Sequence, residues 1–429
     1  MGAVRSAPQG VPVPSLPAVT PVWRDRDFRR LWAGQTASQL GEQAGQIILP
    51  LIAVVALDAG AGQLGLLRAV EQSPILLFSL VIGAWVDLRR SRTVMVLADL
   101  GRTLALAAVP IAYLLGALHL PLLVGVAFLV GTLSVLFDVA YQTSLVRLVR
   151  ADQLPQGNSV LESSRSAAQI GGPALGGALV SLLSAPIALV GSAFFFVLSC
   201  LSIGRMRRRE ATPERAERPA PIWRQIQEGL HLVGGNPWLR SVGLVAAVYQ
   251  FCFSAMMTTY LLFLPRGLHL SGAAVGLVLA AMGPGAVVGS LLAARLPRRF
   301  GYGVVMVSSA ALADVALLNT AALHGSTAVV VPLLMAVNFV FGGCSQLVDV
   351  TVMALRQAVT PVQLQGRVVA TVNVVGMGLT PLGSLLGGCL ADQWGLRGSL
   401  LLAVLGMSLS PLLMAFSPLG RLGKALPRP

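Results

Sequence analysis

Charged residues are scarce in this sequence. Only 11% of the 429 residues are charged, whereas a soluble domain contains about 25%. Hydrophobic residues make up 55% of the chain, and the mean hydropathy is +0.76. This composition excludes a cytosolic enzyme, a disordered protein and a disulfide-rich secreted module, and it indicates a chain that lies in a lipid bilayer.

Lysine is nearly absent as well. Of the 31 basic residues, all but Lys424 are arginine. A nucleotide-binding P-loop needs a lysine after its glycines to hold the phosphates, and the spacing around Lys424 does not fit that motif. The sequence therefore predicts no ATPase domain, so the energy for any transport must come from an ion gradient or from a partner.

Cysteine and histidine are also rare, at four residues each. The cysteines all lie inside apolar runs and show no CxxC spacing, so we expect packed free thiols. The sequence contains no HExxH motif. We therefore expect no bound metal, no cofactor and no enzymatic reaction.

Long apolar segments follow one another along the chain, each with roughly the 20 residues that a membrane-spanning helix needs. Twelve are recognised: 31–57, 64–86, 93–116, 121–146, 159–184, 186–204, 239–264, 273–295, 303–323, 328–354, 367–390 and 397–417. When both termini are placed in the cytoplasm, Arg266 and Arg397 are the only basic residues in the outer loops. This bias predicts an all-α integral membrane protein with twelve transmembrane helices, multi-pass in the cell inner membrane, with both termini cytoplasmic.

The basic residues form short clusters between the apolar segments. The net charge of +14 is therefore explained by membrane topology. We expect the lipid bilayer, and no nucleic acid, to be the partner of these clusters.

The longest polar interruption divides the segments into six and six. The predicted organisation is a cytoplasmic N-terminal tail (1–30), an N-terminal six-helix bundle (31–204), a cytoplasmic linker with an amphipathic helix on the membrane surface (205–238), a C-terminal six-helix bundle (239–417) and a cytoplasmic C-terminal tail (418–429). The periodic apolar residues of the linker are typical of a helix that lies on the bilayer surface.

The two halves repeat each other at an offset of 211 residues. Asp138-Val-Ala in the fourth span has a counterpart in Asp349-Val-Thr, and the segment 172–177 (Gly-Pro-Ala-Leu-Gly-Gly) has one in 383–388 (Gly-Ser-Leu-Leu-Gly-Gly). A duplicated six-helix unit is typical of secondary transporters, in which the two repeats surround a site near the middle of the membrane.

The loop 83–92 between the second and third spans reads Gly-Ala-Trp-Val-Asp-Leu-Arg-Arg-Ser-Arg. It resembles the Gly-xxx-Asp-Arg-x-Gly-Arg-Arg signature of the major facilitator superfamily at its glycine, its aspartate and its last arginine, and departs from it at three positions. The segments 26–32 and 40–42 (Leu-Gly-Glu) are similar to the branch that contains enterobactin exporters and macrolide efflux pumps. The resemblance covers nearly the whole chain and implies the major facilitator fold of two pseudo-symmetric six-helix bundles.

Five residues of this loop are expected to form a conformational latch: Gly83, Asp87, Arg89, Arg90 and Arg92. A glycine lets the second span approach a neighbour closely, and a carboxylate at the membrane surface can face a helix N-terminus and nearby arginines. Such a charge cluster would hold the cytoplasmic face in one state and release it in the other. The alternative is an ordinary positive-inside loop.

Four residues of the fifth span, Gly172, Pro173, Gly176 and Gly177, resemble the antiporter motif of the same family. Proline removes a backbone hydrogen bond, and the glycines permit close helix contact. The resemblance favours export. The alternative is glycine-rich packing without a functional meaning, because the chain contains 46 glycines.

Four polar residues of the first span, Gln35, Gln39, Glu42 and Gln46, share one helical face. A polar stripe that faces lipid is costly, so we expect it to face a central cavity. No Arg, Lys or His lies within two turns of Glu42 along the span. Because an ionised carboxylate is costly in mid-membrane, Glu42 is expected to take up and release a proton. The alternative is a structural Glu that stays protonated or hydrogen-bonded.

The remaining intramembrane charges are less distinctive. Asp138 has no basic residue three or four positions away, so it is expected to pair with Arg102 or Arg165 from a neighbouring helix or to act as a second proton-coupling group. Arg102 and Arg165 are also candidates for the wall of the cavity. Three pairs spaced three apart are expected to be structural: Arg68 and Glu71, Asp99 and Arg102, and Glu162 and Arg165.

The seventh span offers Tyr249, Gln250, Phe253 and Met257 as further candidates for the cavity wall. Aromatic and methionine side chains make adaptable walls for amphipathic ligands. The alternative is an apolar stripe that contacts lipid or packs against other helices.

These patterns predict a secondary active transporter that exports an amphipathic small organic molecule, such as a drug, an antibiotic or a siderophore-like product, by proton antiport and alternating access. We expect a monomer whose partners are the small-molecule substrate, protons and the bilayer. One alternative is an importer or uniporter of a polar nutrient, which the few hydrogen-bonding groups of the seventh span disfavour. Another is a non-transporting receptor or scaffold, which the Glu42 stripe and the missing soluble domain disfavour.

Overall fold

The computed structural model describes residues 22–87, 89–149, 153–207, 231, 233–360, 371–372, 376–425 and 427. Within these ranges the regular secondary structure is helical throughout. The helices are α1 (Arg26–Leu51), α2 (Ala61–Gln72), α3 (Pro74–Asp87), α4 (Ser91–Leu114), α5 (Leu120–Leu148), α6 (Leu154–Leu182), α7 (Ala185–Gly204), α8 (Pro237–Leu262), α9 (Gly272–Ala280), α10 (Met282–Ala293), α11 (Leu296–Phe300), α12 (Tyr302–Ala321), α13 (Thr327–Val359), α14 (Thr380–Met407) and α15 (Leu409–Phe416). The predicted linker helix lies almost entirely outside the described residues.

Nine helical stretches of the described residues are long and apolar enough to cross a membrane: 26–56, 91–114, 120–145, 185–204, 237–267, 272–293, 302–321, 327–359 and 380–416. In the last of them, a kink at Gly395 divides α14 into two helical parts. Gly395 has a φ of 75°, a left-handed conformation that glycine adopts without strain. The prediction of an all-helical membrane protein is confirmed.

The sequence repeat reappears in the backbone at the same offset of 211 residues. The α1 helix is capped by Asp25, whose Oδ1 accepts a bond from the backbone N of Asp27 at 2.7 Å. The α8 helix is capped by Asn236, whose Oδ1 accepts one from the backbone N of Trp238 at 3.0 Å. Each helix ends in a π-helical turn, at Ile52–Ala56 and at Phe263–Gly267. Equivalent capping residues therefore begin equivalent helices in the two halves.

Within the first half, α1 packs against α6 and α7, and α4 packs against α5 and α7. Within the second half, α8 packs against α14, and α13 packs against α10 and α12. The halves meet mainly through two pairs of helices, α2 with α14 and α6 with α9, and less extensively through α6 with α10 and α2 with α8. The first two pairs therefore form the principal interface between the halves among the described helices.

The buried apolar side chains show where the halves are joined. One large cluster contains residues from both halves, including Ile48 near the end of α1 and Tyr260 near the end of α8. Two smaller clusters belong to one half each, with Phe28 at the start of α1 in one and Leu239 at the start of α8 in the other. The halves thus share a core at the end where α1 and α8 finish and have separate cores at the opposite end.

Candidate functional site

A buried polar network surrounds Arg102 on α4. Its side chain has 0% exposure, and its guanidinium forms an ion pair with Asp99 one turn away. The same guanidinium donates to the hydroxyl of Ser38 at 2.8 Å, to the hydroxyl of Ser134 at 3.2 Å and to the carboxylate of Glu42 at 3.3 Å. Three helices, α1, α4 and α5, therefore converge on one cation.

Two aromatic rings hold the same guanidinium from its sides. The Cζ atom of Arg102 lies 4.7 Å from the ring centroid of Phe137 on α5 and 4.3 Å from that of Phe196 on α7. Cations are attracted to the faces of aromatic rings, most strongly where water is excluded. In this conformation Arg102 is part of the interior and does not line an open cavity, although the sequence suggested it for the cavity wall.

Glu42 has a cationic partner on another helix, although no basic residue lies within two turns of it along α1. Arg102 does not lie on the same helix but reaches Glu42 from α4, at 3.3 Å. The spacing along α1 was uninformative here, because only residues three or four apart on one helix meet. The Glu42 side chain keeps 16% of its surface exposed, so it is the partly accessible member of the network.

Asp138 lies beside this network and accepts a hydrogen bond from Gln39, 3.2 Å from amide nitrogen to carboxylate oxygen. The described residues show no ion pair between Asp138 and either arginine suggested for it, although both Arg102 and Arg165 interact with it electrostatically. Gln39 therefore connects the Asp138 carboxylate to the helix that carries Glu42.

The four polar residues of α1 do not share one environment. Gln35 is completely buried and Gln39 is 5% exposed, whereas Gln46 is exposed. The two amide atoms of Gln35 have no hydrogen-bond partner among the described residues. The stripe thus runs from the interior to an accessible surface, with Glu42 between the two.

Two of the three predicted local pairs are confirmed. Asp99 pairs with Arg102, and Glu162 pairs with Arg165 at 3.9 Å, both of them partly exposed. Arg68 and Glu71 interact electrostatically.

The second half has an aromatic stack that begins on α8. The ring of Tyr249 stacks on Phe253 with centroids 5.6 Å apart, and Phe253 stacks on Phe341 of α13 with centroids 6.0 Å apart. Tyr249 and Phe253 are partly exposed, and Phe341 is buried. Phe341 is not recognisable from the sequence as part of this stack, because its contact with α8 is made only in the folded protein.

The other two α8 candidates differ in their exposure. Gln250 is partly exposed, whereas Met257 is only 7% exposed. In this conformation Met257 therefore belongs to the packed interior, beside Tyr260, whose hydroxyl accepts a bond from the Asn338 amide at 2.7 Å.

The glycines that resemble an antiporter motif provide close helix contacts. A Cβ added at Gly176 would meet the backbone of Ala44 on α1, and one added at Gly177 would meet the backbone of Gly276 on α9. Gly172 similarly faces Gln43 of α1. The motif therefore joins α6 to α1 within the first half and to α9 of the second half.

The repeated segment in the second half makes the equivalent contacts. A Cβ at Gly387 would meet the backbone of Ala255 on α8, and one at Gly388 would meet the backbone of α2 at Ala61 and Gly65. Gly65 and Gly276 are themselves 211 residues apart, as are Gly177 and Gly388. Two symmetry-related glycine contacts thus connect the halves.

Polar contacts accompany the glycines at this interface. Arg266 pairs with Asp58 across the halves at 2.5 Å, and the Asp392 carboxylate accepts a bond from the backbone N of Gly62 at 2.9 Å. Neither contact could be predicted from a local sequence pattern, because the two partners come from different halves of the chain.

The predicted latch is described only in part. Gly83 and Asp87 lie on α3, but their surroundings fall outside the described part of the chain. Arg92 donates a hydrogen bond to the carbonyl of Gly204 at the end of α7. Arg89 stacks over the Trp85 ring, with 5.4 Å from Cζ to the centroid, while Arg90 is exposed. The loop is therefore tied to α7 by one of its arginines.

Comparisons with known proteins agree with this architecture. Residues 18–426 match the major facilitator family model described as Transmembrane secretion effector. The chain is 30% identical over 356 residues to the multidrug efflux pump Tap of Mycolicibacterium fortuitum, covering 80% of this chain and 84% of that protein. It is 25% identical over 379 residues to the uncharacterized MFS-type transporter YfiS of Bacillus subtilis, covering 87% and 89%.

Several solved structures resemble this chain in fold. A bacterial homologue of the iron transporter ferroportin, in an inward-facing state, gives a TM-score of 0.65 at 17% identity over 91% of this chain and 98% of that one. A mutant of the nucleoside transporter NupG gives 0.68 at 11% identity, covering 90% and 98%. At these identities the likeness shows the fold alone.

Proposed function

Because the chain belongs to the transmembrane secretion effector family of the major facilitator superfamily, we propose that it exports an amphipathic small organic molecule by proton antiport. The chain is a multi-pass membrane transporter and not an enzyme. The similarity to multidrug efflux pumps supports the direction and the type of substrate. The resemblance of residues 172–177 to an antiporter motif supports the same direction.

The proposed topology has twelve spans, six on each side of the cytoplasmic linker, with both termini in the cytoplasm. Nine helical stretches in the described part of the chain are long and apolar enough to span, and the one that contains Gly395 supplies two spans instead of one. The second span consists of α2 and α3, which follow each other with one residue between them. The fifth span is the 29-residue α6. The excess of arginine on the inner side supports the orientation.

Alternating access would use the interface between the halves as a gate. With the proposed orientation, the shared core and the two glycine contacts lie on the outer side, so this conformation is closed to the outside. At the inner side each half has its own core, so the two halves are not joined by a shared apolar core there. Transport would then require the outer contacts to open as the inner ends approach.

The observation that carries the proton-coupling proposal is the position of Glu42. It is a partly exposed carboxylate inside a membrane-spanning helix, paired with a fully buried arginine. Asp138 lies in the same electrostatic neighbourhood and is the second proposed coupling group. A difference of one pH unit supplies about 1.4 kcal/mol per proton, and the membrane potential adds about 2.3 kcal/mol for each net charge that moves through 100 mV. Exchange of one proton therefore supports uphill export without ATP.

The substrate is proposed to contact the partly exposed part of the aromatic stack, Tyr249 and Phe253. Gln250 on the same helix, Gln46 of α1 and Arg165 of α6 add polar groups from the two halves. A wall of this kind suits a molecule with an apolar ring system and a few polar substituents.

The test is uphill transport by the purified protein in proteoliposomes, with ethidium as the amphipathic probe and glucose as the polar probe. We expect a pH gradient to drive ethidium accumulation by the wild type and not by Glu42→Gln. The substitution preserves the shape of the side chain but cannot release a proton, so downhill ethidium exchange is expected to persist.

The matched control is Glu162→Gln, which also removes a partly exposed, arginine-paired carboxylate from a helix of the first half. This variant should keep uphill transport. Wild-type accumulation by Glu42→Gln would remove Glu42 from the mechanism. Accumulation of glucose in place of ethidium would overturn export of an amphipathic molecule and support the importer.

A further inference from the structure

We propose that Asp99 tunes proton exchange at Glu42 by competing with it for the guanidinium of Arg102. The inference rests on the proposed function, in which Glu42 carries the proton. It gives Asp99 an effect on proton exchange at Glu42, in addition to its ion pair with Arg102. Asp99 is a positioning residue in this scheme, because it acts on Glu42 only through the shared cation.

The geometry shows that one cation serves both carboxylates. Asp99 binds the Nη2 atom of Arg102, and Glu42 approaches the Nη1 atom at 3.3 Å. Ser134 occupies the second bond of Nη1, and Ser38 that of Nη2. Ser38 also donates to the Asp99 carboxylate at 3.2 Å. The network therefore holds the Asp99 contact from two sides and the Glu42 contact from one.

The guanidinium of Arg102 is enclosed and cannot turn toward other partners. Phe137 and Phe196 enclose the guanidinium of Arg102, and no part of the side chain is exposed. Asp99 is equally enclosed, at 0% side-chain exposure, whereas Glu42 is 16% exposed. Of these three residues, Glu42 is therefore the one that can exchange a proton with a cavity, while Asp99 and Arg102 remain as a fixed pair.

The charge balance gives the fixed pair a function. A buried cation with no other anion would hold Glu42 in its ionised form and prevent it from taking a proton. The negative charge of Asp99 offsets most of the positive charge of Arg102. Arg102 therefore stabilises the ionised form of Glu42 less strongly, and Glu42 can still bind a proton. A carboxylate that is to load and release a proton in each cycle needs such a balance.

Other charged and titratable groups face this network from the neighbouring helices. Asp138 on α5, Arg165 on α6 and Glu71 on α2 interact electrostatically with Glu42, and Cys200 on α7 lies near Asp99 and Arg102. Within the described residues, only Arg102 forms an ion pair with Glu42. The substitutions below keep Asp138, Arg165, Glu71 and Cys200. Asp138 also interacts electrostatically with Asp99 and Arg102, so each variant is also measured with Asp138→Asn added.

The test follows the protonation of Glu42 directly and needs no substrate. Infrared difference spectroscopy on the purified full-length protein in lipid records the C=O band of protonated carboxyl groups as a function of pH. The part of the band that disappears in Glu42→Gln belongs to Glu42. The pH at which this part is half lost is then compared between variants.

We expect Asp99→Asn to move this midpoint to lower pH by about one unit or more, which is a tenfold change in proton affinity. The reason is that Asn keeps the shape of the Asp99 side chain but removes its charge, so Glu42 becomes the one carboxylate that is paired with Arg102. The double variant Asp99→Asn with Arg102→Met removes the cation as well and is expected to move the midpoint above that of the wild type. The neutral pair also avoids leaving a buried charge unpaired.

The matched control is Asp314→Asn, which removes a buried aspartate of the other half and is expected to leave the midpoint unchanged. A midpoint that stays at the wild-type value in Asp99→Asn, with folding shown by an unchanged thermal transition, overturns the inference. The same holds if the double variant moves the midpoint to lower pH. If the midpoints move as expected but Glu42→Gln still transports uphill, the proposed function fails and the competition at Arg102 stands.

Discussion

Gly177 of α6 lies against Gly276 of α9 so closely that a Cβ on either residue would overlap the backbone carbonyl of the other. Gly388 and Gly65 form the equivalent contact between α14 and α2. At both places the halves touch through backbone atoms, which only glycine permits. The closed end of the transporter is therefore held by steric fit between helices, and added atoms should open it.

The first prediction is that Gly177→Ala favours the conformation in which this end is open. Overpacking a close contact costs about 1–3 kcal/mol, and 1.4 kcal/mol changes a two-state ratio about tenfold. Distances between spin labels at Gln63 and Gln393 measure the change. Both positions are exposed at this end of the molecule, and the four native cysteines are replaced by alanine.

The control for this substitution is Gly171→Ala on the same helix. A Cβ at Gly171 meets nothing within 4 Å, so the label distances should equal those of the parent protein. Equal distances in Gly177→Ala and Gly171→Ala would show that the glycine contact does not set the closed state.

The second prediction concerns the orientation in the membrane. Single cysteines at Ser184 and Ser326, which are exposed loop positions, should react with an impermeant maleimide in intact cells. A cysteine at Lys424, also exposed, should react only after the membrane is opened. The reason is that Ser184 and Ser326 lie on the arginine-poor side and Lys424 on the arginine-rich side. Labelling of position 424 in intact cells would reverse the proposed orientation.

The parts of the fold that follow from local sequence could be predicted. Apolar length gave most of the spanning helices, and the offset of 211 residues gave the equivalence of the two halves, which reappears in the caps Asp25 and Asn236. The pair Asp99 and Arg102 followed from helical spacing. In each case, the information lies within a few turns of one helix or in a repeated segment.

The contacts between helices could not be predicted in this way. Arg102 was expected to pair with Asp99 and was one of two partners suggested for Asp138. No pattern in one helix shows that Glu42 of another helix reaches the same guanidinium. Phe341 was missed beside Phe253 for the same reason. The contact between Gly177 and Gly276 could not be predicted either, because the two glycines become neighbours only when the two halves pack together.

The third prediction concerns the loop 83–92. Asp87→Asn should insert and fold normally, because the residue lies at the end of α3, but it should slow transport by shifting the balance between inward and outward states. A change of 1.4 kcal/mol in that balance changes the ratio about tenfold. Initial rates of ethidium export in inverted membrane vesicles, normalised to the amount of transporter, measure the effect.

Arg298→Gln is the control, because Arg298 is an exposed arginine of α11. Its segment matches the loop 83–92 at an offset of 206 residues, with Ala293 at the position of Asp87. This variant should export at the wild-type rate. If Asp87→Asn also exports at that rate, the loop is a topology signal and not a latch.

The fourth prediction concerns the aromatic stack of the second half. Tyr249 is partly exposed, and its ring lies 5.6 Å from that of Phe253, nearly parallel at 10°. A flat aromatic ligand can extend such a stack, and an aromatic pair contributes about 0.5–1.5 kcal/mol beyond the area that it buries. Tyr249→Ala should therefore weaken ethidium binding roughly two- to tenfold.

Two further variants separate stacking from other effects on binding. Tyr249→Phe keeps the ring and loses only the hydroxyl, so it should retain most of the affinity. Phe194→Ala removes a ring that is 56% exposed on α7 of the other half, and it should leave binding unchanged because that ring lies outside the proposed cavity. Ethidium fluorescence titrations of the purified variants give the dissociation constants. An unchanged constant in Tyr249→Ala would place the substrate away from α8, whereas an equal loss in Tyr249→Phe would show that the hydroxyl and not the ring binds the ligand.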